Sequence, residues 1–465
     1  MKKSLLLLTL SFVVIIASCK KDQPDPPGGT DYELTQLPPS SQRSGDATAG
    51  YDYLIYGDYV GGGVPYDAFL LGFGQDNSNV LNRTGDNAVI PPAYTAIDAF
   101  NGVRVVSANC LQCHGQELNG EYYIGLGNSM IDFTTDQSNI VSALDLAINV
   151  AYGNPSDEWD AYLPLRRGIN AIGPHLITEV RGSNVADKLA AVLAAHRSPD
   201  DLSWNATPQI PIPEEVIPTD VPAWWILKKK NAMFYNGLGR GDFARTMMAS
   251  GLLTLQDSAD AHEIDERFAD VLAYINTLEP PDFPNPIDQS LADEGKIIFE
   301  NNCTVCHGSY GDNETYPNLL VGLNTIGTDP MLAEKYFEYT GYLNWYNNGW
   351  FGNGENAGYL EPGAGYVAPP LDGVWATAPY LHNGSVPTLE DLLNSSQRPV
   401  FWERSFNSSD FDFDKVGWNY TVPASGAGTA VFDATIEGYG NQGHTFGDEL
   451  TTQERTALIE YLKTL

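Results

Sequence analysis

Cys110-Leu-Gln-Cys113-His114 and Cys303-Thr-Val-Cys306-His307 are two copies of one motif, C-x-x-C-H. Its two thiols lie one helical turn apart, so they can bond to both vinyl groups on one edge of a porphyrin, and the following imidazole then reaches the iron. A thioredoxin-like redox pair would not need a histidine after both pairs, and a Cys₄ zinc site would draw on pairs that lie far apart in the chain. We therefore predict two covalently bound haem c groups. The residues predicted to hold them are Cys110, Cys113, His114, Cys303, Cys306 and His307.

The sequence before each motif is similar in the two copies. Residues 102–110 (GVRVVSANC) align with residues 295–303 (GKIIFENNC), with a glycine eight positions before the first cysteine in both. The apolar residues have helical spacing, which predicts an amphipathic helix leading into each motif. A second repeat aligns residues 270–278 (DVLAYINTL) with residues 457–465 (ALIEYLKTL), which predicts a closing helix in each copy.

These repeats predict a mainly α fold, with two cytochrome c-like domains in tandem. The proline-rich segment 280–284 ends the first copy, so we expect domain one over 49–281 and domain two over 282–465. Both domains are long for one haem, and the chain contains 45 Gly and 30 Pro, which predicts long, loop-rich insertions.

The N-terminus has the pattern of a bacterial export signal. Two lysines precede an apolar run over 5–16 that is too short to span a bilayer comfortably, and Ala17-Ser18-Cys19 follows it. A cysteine in this context resembles a lipobox, so we predict a signal peptide over 1–18 and lipidation of Cys19. The polar, Pro- and Gly-rich segment 19–48 is then a flexible tether. We expect an exported protein that is lipid-anchored to the bacterial cell envelope, in the periplasm or at the outer membrane.

The formal net charge of −34 limits the possible partners. Such a surface repels nucleic acid and anionic lipid headgroups, so we expect membrane contact through the lipid anchor only. It would favour a basic partner such as a small electron-carrier protein, although acidity that serves only solubility explains the charge equally well.

Three residues of domain two compete for the sixth position of the second iron. His444 lies in a glycine-rich loop before the last helix, His382 follows Pro379-Tyr-Leu, and Met331 has a spacing that suits His/Met ligation. Domain one offers no comparable candidate. An open iron face is therefore expected there, and an open haem iron can bind O₂ or peroxide.

Several segments in 95–465 carry a family resemblance. Residues 378–393 (APYLHNGSVPTLEDLL) are similar to the dihaem cytochrome c peroxidase and MauG superfamily. Residues 221–225 (VPAWW), 315–318 (TYPN) and 443–444 resemble its rubber-oxygenase (RoxA-type) branch.

This resemblance implies a division of labour between the two haems. His307 and His444 would hold the second haem as an electron relay, and the first haem, on His114, would face the oxidant. Trp225 would lie near the first haem or between the two. Phe234 or Phe243 would line the distal side of the first haem, and His382 would be a structural residue near the second haem.

Two functions remain open at this point. The first is an oxidoreductase that uses O₂ or H₂O₂ at the first haem, with an unknown reductant or organic substrate. The second is a non-catalytic electron-transfer cytochrome. A peroxidase needs an acid–base carboxylate, for which Glu263, Asp265 and Glu266 are candidates by region only, and the chain is shorter than a typical rubber oxygenase.

Overall fold

A computed structural model describes residues 32–465 of the chain. The predicted signal peptide, Cys19 and the first part of the predicted tether lie outside the described residues. The α-helices are α1 (Ala47–Tyr56), α2 (Tyr66–Phe73), α3 (Leu111–His114), α4 (Val141–Tyr152), α5 (Asp157–Ile172), α6 (Ala186–Ala195), α7 (Phe243–Met247), α8 (Ser258–Ile275), α9 (Gln289–Asn302), α10 (Thr304–His307), α11 (Leu323–Ile326), α12 (Met331–Lys335), α13 (Thr340–Asn348), α14 (Leu389–Leu392) and α15 (Thr452–Leu462).

Short strands alternate with these helices along the chain. They are β1 (Leu34–Gln36), β2 (Val64–Pro65), β3 (Tyr94–Asp98), β4 (Arg104–Ala108), β5 (Gly115–Leu118), β6 (Glu121–Ile124), β7 (Gly239–Gly241), β8 (Leu319–Gly322), β9 (Gly358–Leu360), β10 (Gly365–Val367), β11 (Phe401–Glu403), β12 (Phe411–Asp412), β13 (Gly417–Trp418) and β14 (Val431–Asp433). They form antiparallel sheets of two or three strands, among them β2-β4-β3 and β1-β8-β10.

The prediction of a mainly α fold is therefore wrong. The protein is mixed, with 38 % helix and 13 % strand. Most strands have only two to five residues, so their period-2 alternation is too short to stand out in the sequence. The long insertions predicted to be loops contain these small sheets.

Two helix pairs pack in the same way. Helix α9 packs on α15, and helix α1 packs on α8. A Cβ added at Gly295 would overlap the carbonyl oxygen of Ala457, and a Cβ added at Gly50 would overlap that of Asp270. Glycine thus lets the two backbones of each pair touch. Helices α1 and α9 also begin alike, because Asp46 and Asp288 each cap the free N–H groups of the first turn.

The helix predicted over 102–110 is instead a strand. Residues Arg104–Ala108 form β4, which pairs with β3 along its whole length and with β2. Its centre is Val105-Val106-Ser107, and β-branched residues favour a pleated, buried strand. The true counterpart of α9 is α1, which an insertion over 57–109 separates from the first motif. The helix predicted before the second motif is confirmed as α9.

The segment that begins at Tyr32 was predicted to belong to a flexible tether, but in the structure it packs against the rest of the folded chain. Strand β1 pairs with β8 in an antiparallel register. Arg43 then forms ion pairs of 2.8 Å with both Asp242 and Asp265, and Asp265 is also paired with Arg245. Asp265, an acid–base candidate from the sequence, is therefore part of a structural charge cluster.

Residues Tyr32–Leu465 group as one compact unit by their contacts. The division into 49–281 and 282–465 stays a prediction. Among the helices of the described part, none is both long and apolar enough to cross a bilayer.

We expect the substitution Gly295→Ala to destabilise the protein by about 1–3 kcal/mol, because the added methyl group would force α9 away from α15. The matched control is Gly72→Ala within α2, where an added Cβ meets no atom within 4 Å. This control should stabilise the protein by roughly 0.5–1 kcal/mol, since alanine favours a helix more than glycine does. Thermal unfolding of both variants measures the difference, and equal effects would contradict the proposed role of the helix crossing.

Candidate functional site

The first motif lies between β4 and β5. Cys110 precedes α3, and both of its cysteines are half-buried free thiols. The amide of Asn184 lies 3.4 Å from the Cys113 sulfur, and the Ser250 hydroxyl lies 3.9 Å from the Cys110 sulfur. Burial raises the pKa of Cys110 to about 11, so the thiol stays protonated at neutral pH. Two free thiols one helical turn apart have the spacing that thioether bonds to one edge of a porphyrin require.

The ring of His114 stacks on the ring of Trp224. The two centroids are 4.5 Å apart, and the planes differ by 21°. Burial lowers the pKa of His114 to about 3, which keeps the imidazole neutral, the form that binds a metal. Its Nδ1 atom is buried without a hydrogen-bond partner. A buried polar atom without a partner indicates that a further group belongs beside this ring.

The second motif follows α9 directly, and His307 ends α10. Nδ1 of His307 lies 2.8 Å from the backbone carbonyl oxygen of Pro369. A histidine that donates Nδ1–H to a carbonyl has a fixed ring orientation and a free Nε2 lone pair, which is the usual arrangement of a metal-binding histidine. Burial lowers the pKa of His307 as well, so its imidazole is neutral.

His444 faces His307. Their ring centroids are 6.2 Å apart. A metal–imidazole bond is about 2 Å long and the ring centre lies about 1 Å beyond the nitrogen, so two imidazoles on opposite sides of one iron have centroids about 6 Å apart. Burial and the nearby His307 lower the pKa of His444 to about 3. The pair therefore has the spacing and the protonation state needed to hold one iron.

The loop that carries His444 is held by Arg398. Its guanidinium donates hydrogen bonds to the carbonyl oxygens of Asn441, Gly443 and His444 at 2.7, 2.6 and 3.1 Å. Gly443 packs directly on the backbone of Gly327, and His444 has a φ of +46°. A histidine in this sparsely populated region is kept there by its surroundings, and such strain is concentrated at functional sites.

The other two candidates for the sixth position lie elsewhere. His382 is buried and stacks on Tyr366, with ring centroids 4.0 Å apart. Met331 is buried in the main hydrophobic cluster, where its sulfur packs beside Gly438. Of the three, the structure brings His444 into ring contact with His307.

The three residues proposed to line the first haem have different surroundings. Trp225 is buried, and its indole N–H donates to the carbonyl oxygen of Asp372 at 2.7 Å. Phe234 is 37 % exposed and packs over Gly239, whereas Phe243 begins α7 in the main hydrophobic cluster. The structure therefore places Trp224, not these residues, against the ring of His114.

Sequence reasoning missed Arg398 and Asn184 as site residues. It selected Trp225 from the pair Trp224-Trp225, because the register of this pair relative to His114 depends on the backbone hydrogen bonds of Gly125 to His114 and to Trp224. No local pattern marks Arg398 or Asn184. Within residues 32–465, no three His, Cys, Asp or Glu side chains gather as a metal-binding group, the arrangement that a Cys₄ zinc site would need.

We expect His444→Ala to convert one low-spin haem of the oxidised holoprotein to high spin, because the iron loses one of two strong nitrogen ligands. Low-temperature EPR measures the change. The control variants His382→Gln and Met331→Leu should leave the low-spin signal in place. If His444→Ala keeps the low-spin signal and one of the control variants loses it, the residue replaced in that control occupies the sixth position instead.

Comparison with known proteins identifies one part of the chain directly. Residues 365–403 match the family model described as RoxA-like, cytochrome c-like, and this range contains the whole segment 378–393. Two uncharacterized proteins of Sinorhizobium fredii are also similar. The chain is 31 % identical to y4iJ over 253 residues, or 40 % of this chain and 41 % of y4iJ. It is 28 % identical to y4iM over 286 residues, or 54 % of this chain and 62 % of y4iM.

The chain thus aligns with less than two thirds of the length of either relative. The family match supports the predicted link to the cytochromes c, and membership of the wider peroxidase and MauG superfamily stays a prediction. Through residues 365–403, the chain contains a RoxA-like, cytochrome c-like domain, which implies that it binds haem c covalently.

Proposed function

We propose that the chain is an exported dihaem cytochrome that acts as an oxidoreductase. The haem held by Cys110, Cys113 and His114 reacts with O₂ or H₂O₂, and the haem held between His307 and His444 relays electrons. The export signal and the lipid anchor at Cys19 rest on the N-terminal sequence alone.

The observation that carries this proposal is the difference between the two motif histidines. His307 has a second imidazole at 6.2 Å. In the described part of the chain, the ring in contact with His114 is an indole, that of Trp224. A haem iron with two imidazole ligands exchanges electrons, and one with an open face binds O₂ or peroxide and transfers electrons to it.

A continuous series of contacts joins the two motifs. His114 stacks on Trp224, and the neighbouring indole of Trp225 donates to the carbonyl oxygen of Asp372. From Asp372 the chain runs back to Pro369, whose carbonyl oxygen accepts from His307. Each step is a stacked pair, a covalent bond or a hydrogen bond. Electrons transfer faster through such contacts than across empty space, so this series favours electron exchange between the two sites.

Residues of the chain orient the two histidines of the second site, and a cavity lies beside them. Arg398 keeps the His444 loop in place, and the Pro369 carbonyl fixes the ring of His307. A cavity of about 220 Å³ opens beside His307. Lys229 lines this cavity and is ion-paired with Asp372 at 2.7 Å and with Glu314 at 3.0 Å. A reductant or a small electron-carrier protein can approach the second site here.

The first test is low-temperature EPR of the oxidised holoprotein, combined with optical spectra after addition of H₂O₂ and, for the reduced protein, of CO or O₂. We expect one high-spin and one low-spin haem, with ligand uptake at the high-spin centre only. His444→Ala should create a second high-spin centre, which identifies the original one as the haem on His114.

Two low-spin haems that take up none of these ligands would overturn the oxidoreductase proposal. That result would favour the second candidate, a pure electron-transfer cytochrome. The net charge of −34 suits this alternative, because an acidic surface steers a basic carrier protein towards it.

We expect Trp225→Phe to slow electron transfer between the two haems, since phenylalanine fills most of the space but cannot donate to Asp372. The matched control is Trp375→Phe, because Trp375 is also buried and donates to a backbone carbonyl, that of Pro281. Flash photolysis of the CO complex of the half-reduced protein measures the rate. Equal rates in the two variants would exclude the Trp225 contact as part of the path.

A further inference from the structure

We propose that Tyr336 is a redox-active tyrosine that gives an electron to the first haem site and its phenolic proton to Asp187. Tyr339 then carries the oxidation to the protein surface. This inference rests on the proposed reaction of the first haem with peroxide. It adds the residues through which an electron would reach that haem.

The hydroxyl of Tyr336 is paired with a carboxylate, that of Asp187. Tyr336 is 2 % exposed, and its hydroxyl donates a hydrogen bond to the carboxylate of Asp187. Oxidation makes a phenol strongly acidic, so a buried tyrosine can be oxidised readily only when a base takes its proton. Burial raises the pKa of Asp187, which makes the carboxylate a stronger base.

Asp187 lies close to the first motif. Asn184, whose amide contacts the sulfur of Cys113 at 3.4 Å, accepts from the backbone N–H of Ala186 at the start of α6. Asp187 follows in the first turn of that helix. Three residues span at most about 10 Å of chain, so the carboxylate lies near the edge of the first haem site.

Tyr339 connects the pair of Tyr336 and Asp187 to the protein surface. Its ring contacts that of Tyr336 with centroids 5.5 Å apart. Tyr339 is half-buried, and it lies beside the ion pair of Lys335 with Glu215 at the surface. The ring of Tyr339 is partly exposed, so an oxidised Tyr339 can accept an electron from a reductant in solution, whereas its hydroxyl oxygen is buried beside Glu215, whose carboxylate is the acceptor for its proton.

The electrons and protons of the proposed route balance. One H₂O₂ takes up two electrons and two protons at the first haem site and leaves as two waters, the protons coming from solvent. Tyr336 supplies one electron: its O–H bond breaks, an O–H bond forms on Asp187, and a neutral tyrosyl radical remains. The second electron comes from the second haem site, where the iron would pass from ferrous to ferric and a one-electron reductant would restore it. Tyr339 then reduces Tyr336, which regains the proton from Asp187. The proton of Tyr339 passes to the carboxylate of Glu215 and returns when a one-electron reductant restores Tyr339.

A second buried tyrosine near the first site provides a matched control. Tyr59 is 1 % exposed and lies beside Cys110. Its hydroxyl donates to the backbone carbonyl oxygen of Leu54 at 2.8 Å. A carbonyl oxygen cannot accept the proton of an oxidised phenol at neutral pH, so Tyr59 should stay reduced.

The test is EPR of the half-reduced holoprotein mixed with equimolar H₂O₂ and frozen at once, with and without ring-deuterated tyrosine. We expect a tyrosyl radical signal that narrows on deuteration, persists in Tyr59→Phe and is absent in Tyr336→Phe. Asp187→Asn should slow radical formation by roughly a hundredfold, because the proton acceptor is lost. The first haem should still respond optically to peroxide in all variants, although the product spectrum should differ where Tyr336 no longer supplies its electron.

The outcomes separate this inference from the proposed function. If the haem responds to peroxide but the radical persists in Tyr336→Phe, or forms equally fast in Asp187→Asn, the route is wrong and the oxidoreductase stands. If no haem responds to peroxide, both proposals fail. Should Tyr336→Phe yield no holoprotein, Asp187→Asn decides the question, since it retains the tyrosine.

Discussion

Direct contact between backbones at glycine is the constraint on which the arrangement of the second site depends. At Gly295 the absence of a side chain lets α9 touch α15, and Cys303 follows α9 without a break. At Gly443 the same property lets the loop of His444 lie on the backbone at Gly327. One glycine thus positions His307, and the other positions His444.

The first site also has a helix contact at glycine, but this contact does not adjoin its C-x-x-C-H motif. Gly50 brings α1 onto α8, but the insertion over 57–109 separates α1 from Cys110. Small sheets and the Trp224 stack therefore orient His114 in place of a preceding helix. In the described part of the chain, the ring stacked on His114 is an indole, whereas the ring beside His307 is an imidazole, and this difference agrees with the proposed roles of the two sites.

The features that could be predicted from the sequence are those that depend on short motifs in which only a few residue types can serve. Both C-x-x-C-H motifs, α9 and the closing helices follow from such patterns, and the choice of His444 followed from its glycine-rich loop and from a family resemblance. The helix before Cys110 was predicted wrongly, because Val105 and Val106 are β-branched residues that favour a strand, and pairing of β4 with β3 decided the outcome. The contact between Trp224 and His114 depends on tertiary register, which no local pattern contains.

The pairing of β1 with β8 has a consequence for how the protein is made. The N–H of Glu33, beside β1, bonds to the hydroxyl of Thr325 across 292 residues of sequence. Because synthesis proceeds from the N-terminus, the earliest part of the folded region must wait, unpaired, until both haem motifs have emerged, and such long-range pairing closes slowly. Both cysteine pairs precede β8 in the chain, so both are synthesised before the partner strand of β1 exists and this sheet can close.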